Sequence, residues 1–353
     1  MKRRAFVQSA AAAVSGLFAG CTEKAGDSRT WVMPEEGRPH QRTWMAFAAS
    51  DRIWGPELAP RVKQDLARIA TTIARFEPVS MLVPATDLEL ARQLAPGVDL
   101  VTAELDDLWL RDTGPVFVNG AAVDFNFNGW GGKQRHSRDS KIARFVADKA
   151  GIEAISTDLV LEGGALEVDG EGTAIITESC VLNDNRNRGW SRQEVEEELA
   201  RLLGIRKVIW LPGIAGKDIT DGHTDFYARF AGPGVVVAGL DNDPESFDYD
   251  VTRRHLEILR GATDVHGRPL RVEVIEGPSR TRVEDEDFAA GYINFYVCNG
   301  AVIGPEFGDP VADAAAKATL ARLFPDRTVV QIDIDGIASG GGGIHCTTQQ
   351  QPR

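Results

Sequence analysis

The residues of this sequence that could make or break bonds stand in four short segments containing glycine. The last, GGGGIHCTTQQQPR, carries a thiol at Cys346 beside His345. DITDGHTDFYARF places His223 and Asp225 two residues apart, DDLWLRDTGPVFV carries Trp109, Arg111 and Asp112, and in LEGGALEVDGEGT Glu162 precedes two glycines. A thiol, an imidazole and several carboxylates, with no evident metal-ligand spacing, suggest covalent catalysis on a cation. Carboxylates suit a guanidinium because its planar fork of donors matches their oxygens bidentately. Held between carboxylates, a guanidinium offers the thiol an electrophilic carbon, and its positive charge favours the thiolate nearby. An imidazole can then protonate departing ammonia and later activate water.

Taken singly, each group admits a plainer role. His223 and Asp225 could be a surface or capping pair, Asp112 could pair with Arg111, and Glu162 could be a solvated loop carboxylate. Cys180 and Cys298 lie in the apolar runs TAIITESCVL and YINFYVCNGAVI, where a buried, inert thiol is expected. Cys346 differs, because glycines and polar residues surround it.

The elements that must position these groups alternate between strands and helices. Strands are expected over 43–48, 79–83, 121–125, 173–177, 208–211, 235–238, 271–275, 292–297 and 328–332. Helices are expected over 58–76, 142–149, 192–203, 247–259 and 311–324. Ser191 and Glu194 fit a capping box, and Asp309 stands as an N-cap carboxylate before Pro310. Residues i and i+2 of a strand face the same side, so His223 and Asp225, read as the start of a strand, aim into one cavity. By the same alternation His345 points away from Cys346, which leaves the base role to His223. Gly340 to Gly343 supply backbone without side chains, letting the chain approach a pocket closely.

At 43% hydrophobic and 26% charged, the composition is that of an ordinary globular protein, and no low-complexity linker divides the chain after its start. Residues 31–353 therefore read as one α/β domain. A net charge of −13 with no basic block argues against a nucleic-acid surface and suits a cationic ligand. The first 21 residues, MKRRAFVQSAAAAVSGLFAGC, have a basic start and an apolar run too short to span a membrane, and read as an export signal. Arg3-Arg4-Ala5-Phe6 resembles the twin-arginine export motif, and Phe18-Ala19-Gly20-Cys21 resembles a lipobox. Cys21 would then be lipidated and attach the protein to the cell envelope, with residues 22–30 as a polar tether; an ordinary secretory signal is the alternative.

WLRDTGP, LEGG, DGHTD, YINFYVCNGAVI and GGGGIHCTTQQQP, in that order, resemble the agmatine deiminase family. More broadly they resemble the bacterial peptidylarginine-deiminase group of guanidine-modifying enzymes, and the likeness runs from about Met33 to Pro352. It implies a five-bladed α/β propeller with the active site at its centre. It implies Cys346 as nucleophile, His223 as general acid and base, and Asp112 and Asp225 as the carboxylates gripping the guanidinium. Glu162 would lie near the histidine or the substrate nitrogens, with Trp109 and Asn294 lining the pocket. The implied reaction is hydrolysis of agmatine to N-carbamoylputrescine and ammonia through a thiouronium intermediate on Cys346, without metal or organic cofactor.

Three departures bear on which guanidine is bound. Gly343 stands where an asparagine is usual, Gly291 replaces a small polar residue, and TWMAFAASDRIWG lacks the usual Trp-Pro after Trp44-Met45. Export makes peptidylarginine or free arginine an alternative substrate. A lipoprotein that binds a cationic metabolite without turnover is a second alternative, although binding alone needs no nucleophile.

Overall fold

Five times the chain builds the same small unit: two antiparallel strands, a helix, and a third strand parallel to the second. This repetition is seen in a computed structural model that describes residues 30–285 and 287–353. The expected export signal, Cys21 included, lies outside the described residues, as does all but the last residue of the tether. Residues Trp31–Arg353 form one compact unit.

The first unit is a sheet of four strands in the order β16-β1-β2-β3, with β1 at His40–Ala46, β2 at Val79–Val83, β3 at Asp99–Thr102 and β16 at Thr348–Pro352. The second contains β4 (Val116–Val118), β5 (Ala121–Asp124) and β6 (Glu153–Ser156), and the third β7 (Leu166–Val168), β8 (Thr173–Thr177) and β9 (Lys207–Leu211). The fourth holds β10 (Ala228–Gly232), β11 (Val235–Leu240) and β12 (Arg271–Glu276), and the fifth β13 (Tyr296–Cys298), β14 (Ala301–Glu306) and β15 (Thr328–Asp333). Each parallel pair needs a crossover, which a helix supplies. In the five units these helices are Asp51–Ile73, Ile142–Ala150, Arg192–Leu203, Tyr249–Gly261 and Pro310–Leu323, and a sixth, Leu88–Leu94, joins β2 to the extra parallel strand β3. The fold is thus mixed α/β in a single domain.

The first unit takes its antiparallel strand from the far end of the chain: β16 pairs with β1, Trp44 opposite Gln349. That pairing fixes the residues just before β16, Cys346 among them, against the start of the fold.

Local chemistry explains the boundaries. Ser191 caps the third helix through the expected box with Glu194, and Gly204 ends it at φ 71°, a left-handed conformation glycine adopts without strain. Asp309 accepts from the Val311 and Ala312 amides at the head of the fifth. The first helix begins at Asp51, earlier than expected, and continues past Gly55, whose φ of 72° kinks it and places Trp54 on the preceding turn. The strand expected over 292–297 is short, since strand pairing covers only Tyr296–Cys298. Before it the Asn294 amide donates to Gly291 O at 3.2 Å, a turn that frees the Asn294 side chain from strand alternation. The strand β4, which was not expected, forms a hairpin with β5 closed by Asn119-Gly120, and β13 forms one with β14 closed by Asn299-Gly300, with both glycines at positive φ.

Candidate active site

Cys346 lies on a single 3-10 turn, His345–Thr347, and not on a strand as expected. It is 7% exposed. The Asn294 side chain clasps it from two directions: Nδ2 donates to the sulfur at 3.2 Å, and Oδ1 accepts from the Cys346 amide at 3.3 Å. The thiol faces Asp225 Oδ2 at 3.5 Å. Burial and the charges of Asp225 and Asp112 push the thiol well above its usual range.

His223 and Asp225 also sit differently from expectation. Residues Thr224–Phe226 form a 3-10 turn, and β10 starts only at Ala228, so strand alternation does not bring the two side chains together. Asp221 and Gly222 at φ 62° and 87° turn the chain sharply, and the His223 amide is held by Thr220 Oγ1 at 3.0 Å. Both side chains are nonetheless buried in the same place.

Asp112, on the turn Leu110–Thr113, completes the group. Its Oδ2 accepts from the Trp130 indole at 3.0 Å and its Oδ1 from the Gly164 amide at 3.1 Å. Arg111 does not pair with it; that guanidinium turns instead to Glu36, Gln350 and the His345 carbonyl. Gly164 marks the middle of the cluster. A Cβ there would fall 2.6 Å from His223 Nδ1, 2.9 Å from Asp112 Oδ1 and 3.1 Å from Asp225 Oδ2. Among the described residues, His223 Nδ1 and Asp225 Oδ1 are buried with no hydrogen-bond partner. An orphaned donor or acceptor inside a protein is costly unless something binds it.

The electrostatics divide the carboxylates. Burial, with the charges of Asp225 and Glu162, pushes Asp112 up to about 6, against the pull of His223. Burial would raise Asp225 too, but the hydrogen bond and charge of His345, with His223 and Arg229, bring it below the usual carboxylate range. Burial opposes a charge on His223, yet Asp112, Cys180 and Glu162 together raise it well above the usual histidine value.

Glu162 is fully buried behind His223 rather than solvated. Its Oε2 lies 3.4 Å from His223 Nε2, and Arg186 Nε donates to both of its oxygens at 2.8 and 3.0 Å. Cys180 is no simple core thiol either, since its sulfur stands 3.5 Å from the same Oε2. Glu162, Cys180 and His223 thus bring a carboxylate, a thiol and an imidazole within 4.8 Å of one another, a donor set that a metal could use. Arg186 already occupies the carboxylate as its cation, and burial and the Glu162 charge keep the Cys180 thiol protonated. The cluster fits a positioned imidazole better than a metal. Cys298 is buried in β13, as expected.

Three of the four glycines before Cys346 are explained by neighbours, and Gly341 by its φ of 81°. A Cβ on Gly340 would run into the Trp54 ring, one on Gly342 into Trp109, and one on Gly343 into the Asn294 side chain. The two indoles pack at 5.8 Å, and with Asp112, Trp130, Phe226 and Cys346 they line a cavity of about 130 Å³. The absence of a side chain at Gly343 therefore lets Asn294 reach the thiol.

A model of the Porphyromonas-type peptidyl-arginine deiminase family matches residues 32–352. The chain belongs to that family. A provisionally named agmatine deiminase of Streptomyces coelicolor is 48% identical over 341 residues, covering 92% of this chain and 99% of that protein. Agmatine deiminase of Pseudomonas aeruginosa is 38% identical over 352 residues, with 91% of this chain and 95% of that protein covered. Among solved structures, agmatine deiminase of Enterococcus faecalis superposes with a TM-score of 0.87 at 31% identity, over 92% of this chain and 96% of that one.

Sequence reasoning missed four residues of this deiminase-family site: Glu36, Arg186, Cys180 as a neighbour of His223, and Trp54. Glu36 accepts from Arg229 at 2.9 Å and the Val297 amide at 2.8 Å on Oε1, and meets Arg111 at 3.0 Å and His345 at 2.9 Å on Oε2. It stands in GRPH-adjacent loop sequence with no periodicity to flag it. Arg186, in the run NDNRNRG, reads as a surface loop residue until Glu162 is seen beside it.

Proposed function

We propose that this protein hydrolyses the C–N bond of a guanidine, with agmatine as substrate and N-carbamoylputrescine and ammonia as products. One observation carries the reading: an imidazole and two carboxylates, His223, Asp112 and Asp225, meet beside Gly164, and the Cys346 thiol lies 3.5 Å from the Asp225 carboxylate. The names of the relatives support agmatine in particular. Five repeated sheet-and-helix units, with the last strand completing the first unit, support the finer reading of a five-bladed propeller about a central site.

In this reading Asp112 and Asp225 grip the guanidinium, and the orphaned Asp225 Oδ1 accepts one of its N–H groups. The bound cation offsets the carboxylate charges that hold the Cys346 thiol protonated, so substrate binding favours release of the thiol proton to solvent and leaves the thiolate. The sulfur attacks the guanidinium carbon. His223, whose protonated form Asp112 and Glu162 favour, gives its proton to the departing nitrogen, and ammonia leaves a thiouronium on Cys346. Neutral His223 then takes a proton from water, whose oxygen adds to the carbon and expels the sulfur. Glu162 and Arg186 hold the imidazole from behind.

Ammonia release from agmatine, arginine and an arginine peptide tests this directly, with Cys346→Ser as control. Agmatine is expected to be turned over and the variant to be inactive; a folded protein that releases ammonia from none of the three refutes the proposal. Residues 1–21 are proposed as an export signal that places the enzyme in the periplasm or cell envelope, with Cys21 as lipid anchor. Membrane fractionation tests the anchor, since Cys21→Ala is expected to release the protein to the soluble fraction.

A further inference from the structure

The reaction cavity is not a closed chamber. Ile219, Thr220, Phe226, Gly340 and Gly341 line both it and a second cavity of about 790 Å³. That volume is in the range (~300–1,000 Å³) that takes ligands well beyond the size of a small diamine. His223, 1% exposed and with Nδ1 lacking a hydrogen-bond partner among the described residues, is part of the wall of this larger cavity. The two cavities therefore adjoin, and a ligand in the larger one lies beside the imidazole of the reaction centre.

The wall has a consistent chemistry. Asp218, Asp241, Asp243, Asp248 and Glu276 line it, and none of the five has an ion-pair partner among the described residues. Lys217 and His223 are the basic residues in its described lining. Burial and the neighbouring charges of Asp218 and Asp241 push Asp248 up to about 6, although Tyr227 donates a hydrogen bond to it at 2.9 Å. Such uncompensated carboxylates favour a cation and repel the α-carboxylate of free arginine. Apolar residues share the same wall: Phe226, Tyr292 and Ile293, with Ile219 and Phe247 38% and 43% exposed. A wall that combines anionic and apolar side chains matches a ligand whose ammonium groups are separated by methylene chains.

We propose that the larger cavity binds the distal ammonium groups of a guanidine extended by further aminoalkyl segments, so that the preferred substrate is a guanidino-polyamine longer than agmatine. The inference rests on the deiminase reading and narrows its substrate class. Chemistry at the guanidinium is unchanged, and specificity comes from charge and apolar contact at the far end of the same molecule.

The test compares kcat/KM for ammonia release from agmatine, from spermidine carrying one terminal guanidine, and from an arginine peptide. The longer guanidine is expected to exceed agmatine by about tenfold at low salt, and the ratio to fall toward one in molar salt, as exposed charge contacts are screened. An Asp241→Asn, Asp248→Asn double variant, checked for an unchanged circular dichroism spectrum, is expected to bring the ratio close to one at low salt as well. The salt titration of the wild-type enzyme keeps the test valid if that variant does not fold. Agmatine turned over as well as the longer guanidine by the wild-type enzyme, or a preference for the peptide over both, overturns this inference and leaves the deiminase reading standing. No turnover of any guanidine overturns both.

Discussion

His345 Nδ1 lies 2.7 Å from Asp225 Oδ2, the same oxygen that the Cys346 thiol faces at 3.5 Å. Adjacent residues of a strand could not share one oxygen in this way. On a 3-10 turn of about three residues per turn, successive side chains splay by about 120° and both can lean toward one neighbour. The expectation that His345 points away from the site is therefore corrected. It does not touch the orphaned Oδ1; it holds the carboxylate from the other side, and Glu36 holds His345 in turn at 2.9 Å.

Glu36 is the anchor of that chain of contacts. Each of its oxygens serves two partners, so glutamine at this position would turn its amide toward two donors and leave Arg111 and Arg229 short of a buried anion. Removing one member of a buried ionic network typically costs about 3–5 kcal/mol. Glu36→Gln is expected to lower stability by that order in urea unfolding and to reduce kcat/KM as Asp225 loses its hold. A variant with wild-type stability and turnover would show that Glu36 does not position the site.

Gly164→Ala separates space from backbone strain. Gly164 does not adopt a positive φ, so alanine fits the main chain, but its methyl group would sit among His223, Asp112 and Asp225. Displacing reacting groups by about 1 Å can cost on the order of 100-fold. Activity is expected to fall by at least that order, with a loss of stability of about 1–3 kcal/mol from overpacking the buried group. Retained turnover would mean that the guanidinium lies elsewhere.

The charge next to the thiol gives Asp225→Asn a paired signature. Burial and Asp225 are the two largest causes that raise the Cys346 thiol. Removing the Asp225 charge is expected to lower the pH at which iodoacetamide alkylation reaches half its maximum rate. The same variant should lose guanidine turnover, because one grip on the cation is gone. A more easily ionised thiol in an inactive enzyme is the combination to look for; an unchanged alkylation profile would contradict the electrostatic account.

Asp112 sets an acid limb. Its carboxyl, raised from 3.8 to about 6, keeps its proton in the free protein at pH values where an unfolded chain has lost it. That contribution to stability is present below the unfolded value and is lost as pH rises through about 6. Guanidinium binding has the opposite preference, for the ionised carboxylate. Thus kcat/KM, which reports the free enzyme, is expected to fall as pH drops through about 6, and the corresponding limb in kcat should lie lower. A kcat/KM profile flat to pH 5 would show that Asp112 does not bind the substrate in ionised form.

The amino-acid order by itself determined the units and the chemistry. Apolar periodicity, the Ser191–Glu194 box and the Asp309-Pro310 start are local signals, and the third helix lies at Arg192–Leu203 as those signals require. The four segments with reactive groups were legible because glycine and turn residues stand out around a thiol, an imidazole and carboxylates. Contacts between distant residues carried no such mark. Glu36 meets His345 across 309 positions, and Asn294 meets Cys346 across 52. Local patterning encodes which face of an element is apolar, but a buried charge is tolerated only where partners arrive from other elements to compensate its lost hydration. Tertiary structure alone decided that Glu162 is buried against Arg186, that Cys180 stands beside His223, and that three of the four glycines before Cys346 are pressed against Trp54, Trp109 and Asn294.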